Sequence, residues 1–331
     1  MRNPIRLLLW LALLSVAQAG FAKSVTIAVI SDINGRYGST EYTPFVSKVI
    51  DKIAAIKPDV VISTGDMVAG QRKPLLARSE VEAMWTAFHQ AISDPLTKAG
   101  LSFAVTPGNH DGANSTDFLL ERRIFAEQWQ PRKPALQFIE ATEYPFYYAF
   151  VIDKVMFVSL DATVVGALPD SQMRWLEQIL KNAKINQEKI VLYSHVPLWP
   201  FAIARERDYI GDTKLEKMLQ KYGVDLYLSG HHHAFYPGHK DGIYYIGQAC
   251  IGAGPRLLIG TEKVSERSFT LIQIEDDAVR VNAFLENDLN TPLNWETLPK
   301  AITSKAATLN RGDLIDSDID KPILPVQVNR H

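Results

Sequence analysis

Aspartate, asparagine and histidine recur in one setting along this chain. The apolar run Val25–Ile30 leads into Ser31-Asp32-Ile33-Asn34-Gly35, Val60–Ser63 into Gly65-Asp66, and Phe103–Thr106 into Pro107-Gly108-Asn109-His110-Asp111. Ile190–Tyr193 leads into Ser194-His195, and Val224–Leu228 into Ser229-Gly230-His231-His232-His233. Five of the eight histidines lie at these places. Carboxylate, amide and imidazole together make a donor set suited to Mn, Fe or Zn. Two such cations roughly 3.5–4 Å apart can bind a phosphoryl group, lower the pKa of a bridging water and stabilise in-line displacement.

The runs that precede these residues are rich in β-branched side chains and end in small or polar ones, the pattern of strands buried on both faces. Val155–Leu160 and Ile243–Ile246 read the same way, and Tyr147–Ile152 forms a hairpin with Val155–Leu160. Helical periodicity lies between them over Phe45–Ile56, Ser79–Ile92, Gln172–Asn182 and Lys214–Tyr222. The expected class is therefore α/β, in which ligands sit beyond the carboxyl ends of the strands. Each motif taken singly also has a plain structural reading: an Asn-Gly turn at residues 34–35, a helix cap at Asp66, a hydrogen-bonded His195, an adventitious tract at residues 231–233. Their order and shared strand context favour one site. Residues 112–148 are long, irregular and aromatic. They read as a loop or helix pair over a sheet edge, with a lid-like insertion over the site as the functional alternative. Residues 286–331, punctuated by four prolines, read as an extended or partly disordered C-terminal tail.

The ordered set resembles the calcineurin-like metallophosphoesterase superfamily, whose signature is Asp-x-His, Gly-Asp, Gly-Asn-His-Asp/Glu, His and Gly-His-x-His. The resemblance covers residues 24–285. It implies a four-layer sandwich, two mixed β-sheets flanked by helices. Residue by residue, it implies that one cation takes Asp32, Asn34 and His233, that a second takes Asn109, His195 and His231, and that Asp66 bridges both. It implies His110 as an outer-sphere acid or charge stabiliser whose ring Asp111 orients and charges. His232, between two ligands on an extended turn, points away. Asn34 departs from the family's usual histidine. Its amide oxygen is a harder and weaker donor, so two unequal sites are expected, the Asn34 site tilted toward Mn. Purple acid phosphatases look similar in their carboxyl half, but they carry a tyrosine where this chain has Ala69.

The remaining composition narrows the setting. The 331 residues hold 35 Lys+Arg against 37 Asp+Glu, a formal charge of -2, with 47% apolar residues. That is an ordinary globular composition without the basic excess of a nucleic-acid binder. The single Cys250 excludes intrachain disulfides. Arg2 and Arg6, the apolar run Leu7–Ala17 and the small residues Ala17-Gln18-Ala19 form a signal peptide over residues 1–19. The apolar run is too short for a stable anchor across a core of about 30 Å. The expected place is therefore the bacterial periplasm. The expected substrate is a small phosphate mono- or diester cleaved by a dinuclear-metal-activated hydroxide, with a lean to phosphodiesters or nucleotide-type esters. Arg36 and Arg205 are candidate phosphate clamps. Trp199 and Phe201 either flank a leaving group or pack under a loop. Asn34 also supports an alternative, a catalytically weak or inactive binding module on the same fold.

Overall fold

A computed structural model of the chain describes residues 24–186, 189–275, 278–314 and 323; the expected signal peptide at residues 1–19 lies outside the described residues. The first part of the chain forms β1 (Val25–Ile30), α1 (Pro44–Ile56), β2 (Val60–Ser63), α2 (Arg78–Phe88), α3 (Asp94–Lys98), β3 (Phe103–Val105), α4 (Asn109–Gly112) and α5 (Leu119–Trp129). There follow β4 (Gln137–Glu140), β5 (Tyr148–Ile152), β6 (Val155–Ser159), α6 (Asp170–Asn186), β7 (Lys189–Ser194), α7 (Thr213–Tyr222) and β8 (Leu226–Ser229). The strands that follow are β9 (Tyr236–Lys240), β10 (Ile243–Gly247), β11 (Ser268–Ile274), β12 (Val279–Leu285), β13 (Asp288–Pro292), β14 (Ala301–Thr303) and β15 (Thr308–Arg311), with a 3-10 turn at Trp295–Thr297.

These strands make two mixed sheets, in the orders β13-β12-β11-β1-β2-β3 and β14-β15-β9-β10-β8-β7-β6-β5-β4. β1, β2 and β3 run parallel, as do β6, β7, β8 and β10, so the ends that carry the Asp, Asn and His motifs emerge on one rim. Alternation along the second sheet sorts its side chains. Tyr148, Phe150, Phe157, Val191, Tyr193, Leu226, Leu228 and Ile246 join the cluster that contains the first sheet and α1. Their neighbours Ala149, Val151, Val158, Leu192, Tyr227 and Tyr245 face α6 and α7. Successive strand residues point to opposite faces, so a sheet covered on both sides must be apolar at every position. That is why these runs read as continuous.

Helix ends follow local chemistry. Pro44 opens α1 with its φ already helical, and Lys57, left-handed at φ 55 before Pro58, closes it. Asp212 caps α7 by accepting the Lys214 N–H at 2.8 Å, and Gly223 ends it at φ 72.

Residues 112–148 take the first of their two readings, a helical cover and strand at a sheet edge, and the lid-like alternative falls away. Phe125 and Trp129 of α5 are buried against Trp85 of α2. Phe138 packs edge-on against Tyr144 at the end of the second sheet. The aromatics are spent on packing, so this segment completes the helical layer and an edge strand. The tail, against expectation, is not loose over residues 288–311: β13 extends the first sheet, and β14 and β15 extend the second. Each of β14 and β15 offers a central apolar residue, Ile302 and Leu309, to the interior. That is too little periodicity for a strand signal.

The sheets are tied at the edge. The Tyr148 hydroxyl accepts the Val105 N–H at 2.9 Å and donates to the Val105 carbonyl at 2.7 Å. Tyr148→Phe leaves that N–H buried without its acceptor, and a loss of about 1–3 kcal/mol is expected. Urea unfolding of the two proteins at equal cation content measures it.

Candidate metal centre

The five motifs meet on the rim. Asp32 and Asp66 are at most 1% exposed. Nε2 of His233 is 2.9 Å from Asp32 Oδ1, and Nε2 of His195 is 3.3 Å from Asp66 Oδ2. One donor atom each from Asp32, Asp66 and His233 lies within 4.8 Å of the others. A second cluster adjoins it. Nε2 of His195 is 2.9 Å from Asn109 Oδ1 and 3.2 Å from His231 Nδ1. Asp66 belongs to both groups, as a shared carboxylate must. Asn34, 5% exposed, has its Oδ1 buried beside the first group with no hydrogen-bond partner among the described residues.

The local backbone shows what this convergence costs. Asp32, Asp66, His231 and His233 all have positive φ, at 48, 55, 64 and 50°. Left-handed backbone is uncommon outside glycine and persists where surrounding structure imposes it. Close approach is enforced too. A Cβ at Gly108 would lie 2.1 Å from the Asp66 nitrogen, and one at Gly230 would lie 2.1 Å from Ser31 Oγ. Strand ends can bring their donors this near only where these two positions lack side chains.

The imidazoles are turned for cation binding. His195 Nδ1 and His233 Nδ1 lie 2.8 Å from the carbonyls of Thr64 and Gly254. A carbonyl only accepts, so these nitrogens carry protons and each Nε2 faces inward, the nitrogen that a neutral ring would offer to a cation. His231 presents Nδ1 inward and holds Nε2 3.8 Å from Asp208 Oδ2. The outward hydrogen bonds of His195 and His233 are of the kind that fixes the tautomer and ring direction of metal-binding histidines. The residues therefore fit a pair of divalent cations.

Electrostatics point the same way. Burial alone would raise both carboxylates, but imidazole neighbours prevail. His195 and His110 hold Asp66 well below the usual range, and His233 brings Asp32 to about 2. Burial lowers His195, yet Asp66 and Asp32 push it up to about 9. Burial takes His231 down to about 4, so this ring is neutral at pH 7.

The other candidates divide. His110 stays with the site: its N–H donates to Asp66 Oδ1 at 2.8 Å, and its Nδ1 is 3.0 Å from the Gly70 carbonyl. Nε2 is thereby left toward the rim, 3.9 Å from Asp66 Oδ2. Asp111 does not touch the His110 ring, contrary to expectation. Its oxygens accept the Gly108 N–H at 2.6 Å and the Met67 N–H at 2.7 Å. Consecutive residues in a helical turn project about 100° apart, so Asp111 turns back onto the start of α4 while His110 faces out. Arg205 is also reassigned: the carboxylate three residues on takes it, with Arg205 Nη1 2.6 Å from Asp208 Oδ2. Arg36 lines an open cleft of about 760 Å³ over the site, with Tyr37, His110, His233 and Arg267. Trp199 and Phe201 are buried; Trp199 donates to Glu216, and Phe201 packs on His232. His232 points away as expected, its Nε2 2.8 Å from the Asp208 carbonyl.

A sixth strand end was missed. The residues after β10 close the rim: Gly252 and Ala253 donate their N–H groups to the Asp32 carbonyl at 3.1 and 3.0 Å, and Gly254 accepts from His233. The signal was a glycine pair, Gly252 and Gly254, just past a buried strand. Arg267, from β11's approach, had no signal near a motif.

The fold and rim define a two-sheet α/β protein of the metal-dependent phosphoesterase type. Residues 25–235 match the calcineurin-like phosphoesterase family, and the chain belongs to it. It is 24% identical over 196 residues to a metallophosphoesterase-type protein of Arabidopsis thaliana, a span of 55% of this chain and 26% of that one. The chain thus covers about a quarter of that relative's length. Among solved structures, the purple acid phosphatase PPD1 of yellow lupin (Lupinus luteus) is similar at TM-score 0.61 and 16% identity, covering 82% of this chain and 53% of that one. A dimetal phosphatase from Danio rerio is similar at TM-score 0.56 and 15% identity, covering 79% and 96%. At these identities the two structures speak for the fold.

Asp111 as a loop tie carries an expectation. Asp111→Ala strands two backbone N–H groups and should lower folding stability by at least about 2 kcal/mol. Chemical denaturation in the presence of chelator measures it apart from any cation effect.

Proposed function

We propose that this chain hydrolyses phosphate esters at a site for two divalent cations, with anionic phosphodiesters or nucleotide-type esters as its substrate class. One observation carries the reading: inward-facing ring nitrogens of three histidines converge on two buried carboxylates and two asparagines, while the outer nitrogens of His195 and His233 donate to backbone carbonyls. Asp32, Asn34 and His233 would hold one cation, Asn109, His195 and His231 the other, and Asp66 would serve both. When bound, the pair neutralises a phosphoryl group and activates water for in-line attack.

The chain's own residues supply the rest. With Nδ1 held by Gly70, His110 keeps Nε2 toward the rim, where it holds or delivers a proton to a leaving oxygen. Arg36 makes the cleft cationic, Arg267 in the same lining is paired with Glu286 at 3.0 Å, and none of the described lining residues is acidic. Tyr37, 56% exposed and tilted on His110 at 5.2 Å, offers a ring to an aromatic or base-bearing leaving group. Export to the periplasm belongs to the same reading and is supported by the charged, apolar and small residues at positions 2–19.

Protein prepared without chelator is analysed for metal and assayed on mono- and bis-nitrophenyl phosphate. Up to two cations per chain and chelator-sensitive hydrolysis are expected; full turnover after complete chelation refutes the reading. His110→Ala should keep its cations and lose about 10²–10⁴-fold in kcat. The loss should be smaller for a nitrophenyl ester, whose leaving group needs little protonation, than for an alkyl ester.

Cation uptake is expected to release protons. Without cations His195, at about 9, is protonated at pH 7, and a ligating imidazole must be neutral. Apparent affinity should therefore rise as pH increases toward about 9 and level off above it. Calorimetry in buffers of different ionisation enthalpy gives the proton count.

A further inference from the structure

We propose that Gln71, anchored by Glu121, is a positioning residue that turns the Asn109 side-chain carbonyl toward the second cation. The inference rests on the two-cation reading above. An asparagine amide has two unlike ends, and only its oxygen can serve a cation. Here Asn109 Nδ2 donates to Gln71 Oε1 at 2.8 Å, while Oδ1 lies 2.9 Å from His195 Nε2. Gln71 thus satisfies the amide nitrogen in the one orientation that leaves the oxygen facing the histidines.

Gln71 is itself held in place. It is a non-glycine residue at φ 67. Its N–H donates to Glu121 Oε2 at 2.8 Å. Glu121 comes from α5 and is 4% exposed, so the contact is an interior one. The reach depends on Gly70: a Cβ there would stand 2.6 Å from Glu121 Oε2 and 2.5 Å from the His110 carbonyl. Gly70 N also donates to that carbonyl at 2.9 Å. Helix α5 therefore braces Asn109 through Gln71, a role its sequence does not announce. Outer hydrogen bonds of this kind typically change metal affinity by about 10–100-fold.

The test is calorimetric titration of the cation-free full chain with Mn²⁺, with thermal unfolding recorded for every variant. Gln71→Met has similar length and no acceptor; one of the two binding steps should weaken by about 10–100-fold while the other stays near wild type. Gln71→Glu restores the acceptor and should return that step to within a few-fold. Glu121→Leu should reproduce the Gln71→Met pattern. Should Gln71→Met not fold, Gln71→Ser, too short to reach Asn109, takes its place with the same expected loss. Two steps unchanged in Gln71→Met overturn the inference. So does an equal weakening of both steps that Gln71→Glu fails to restore. A wild-type chain that takes up no cation overturns the two-cation reading itself, and this inference with it.

Discussion

Two carboxylates buried together constrain everything near them. Asp32 and Asp66 are at most 1% exposed, and an ion withdrawn this far from water costs several kcal/mol unless partners surround it. The partners are specific. Backbone N–H groups of His231 and His110 reach Asp32 and Asp66 at 3.1 and 2.8 Å, His233 Nε2 lies 2.9 Å from Asp32 Oδ1, and the His195 ring beside Asp66 carries positive charge when no cation is present. The partners arrive from three strand ends, those of β3, β7 and β8, so the two sheets must meet at one rim for either acid to be tolerable.

That requirement explains the strained backbone. Four residues at the rim adopt left-handed φ, and each such residue costs on the order of 1–3 kcal/mol. The cost is borne by the core beneath, where both faces of the second sheet are covered. The polar ties are likewise short: Thr106 Oγ1 donates to the Leu160 carbonyl at 2.8 Å, joining the sheets next to the site. Rigid support of this kind keeps donor atoms in place before any ligand arrives.

Much of this was legible from residue order. Buried parallel strands announce themselves as unbroken β-branched runs, and five of the runs here led into the Asp, Asn and His motifs. Direction was not legible. Asp111 follows His110 in sequence, yet the helical turn sends its carboxylate back to Gly108 and Met67. Arg205 follows His195 at modest distance, yet Asp208 captures it first. The edge strands failed for another reason: Ile302 and Leu309 each stand between exposed neighbours, so the pattern of a strand barely exists in the letters. Gln71 and Arg267 act across gaps in sequence that no local period spans.

Residues 288–311 visit both sheets in turn, first lying along β12 and then along β9. They work as a hem. Cut back to Leu285, the protein would bare β12 on one sheet and β9 on the other, two rows of unpaired amides and carbonyls at once. Open edges recruit strands from other molecules. For this fold, then, residues 288–311 guard solubility as much as shape, and a shortened chain would be drawn toward its own copies before it lost its rim.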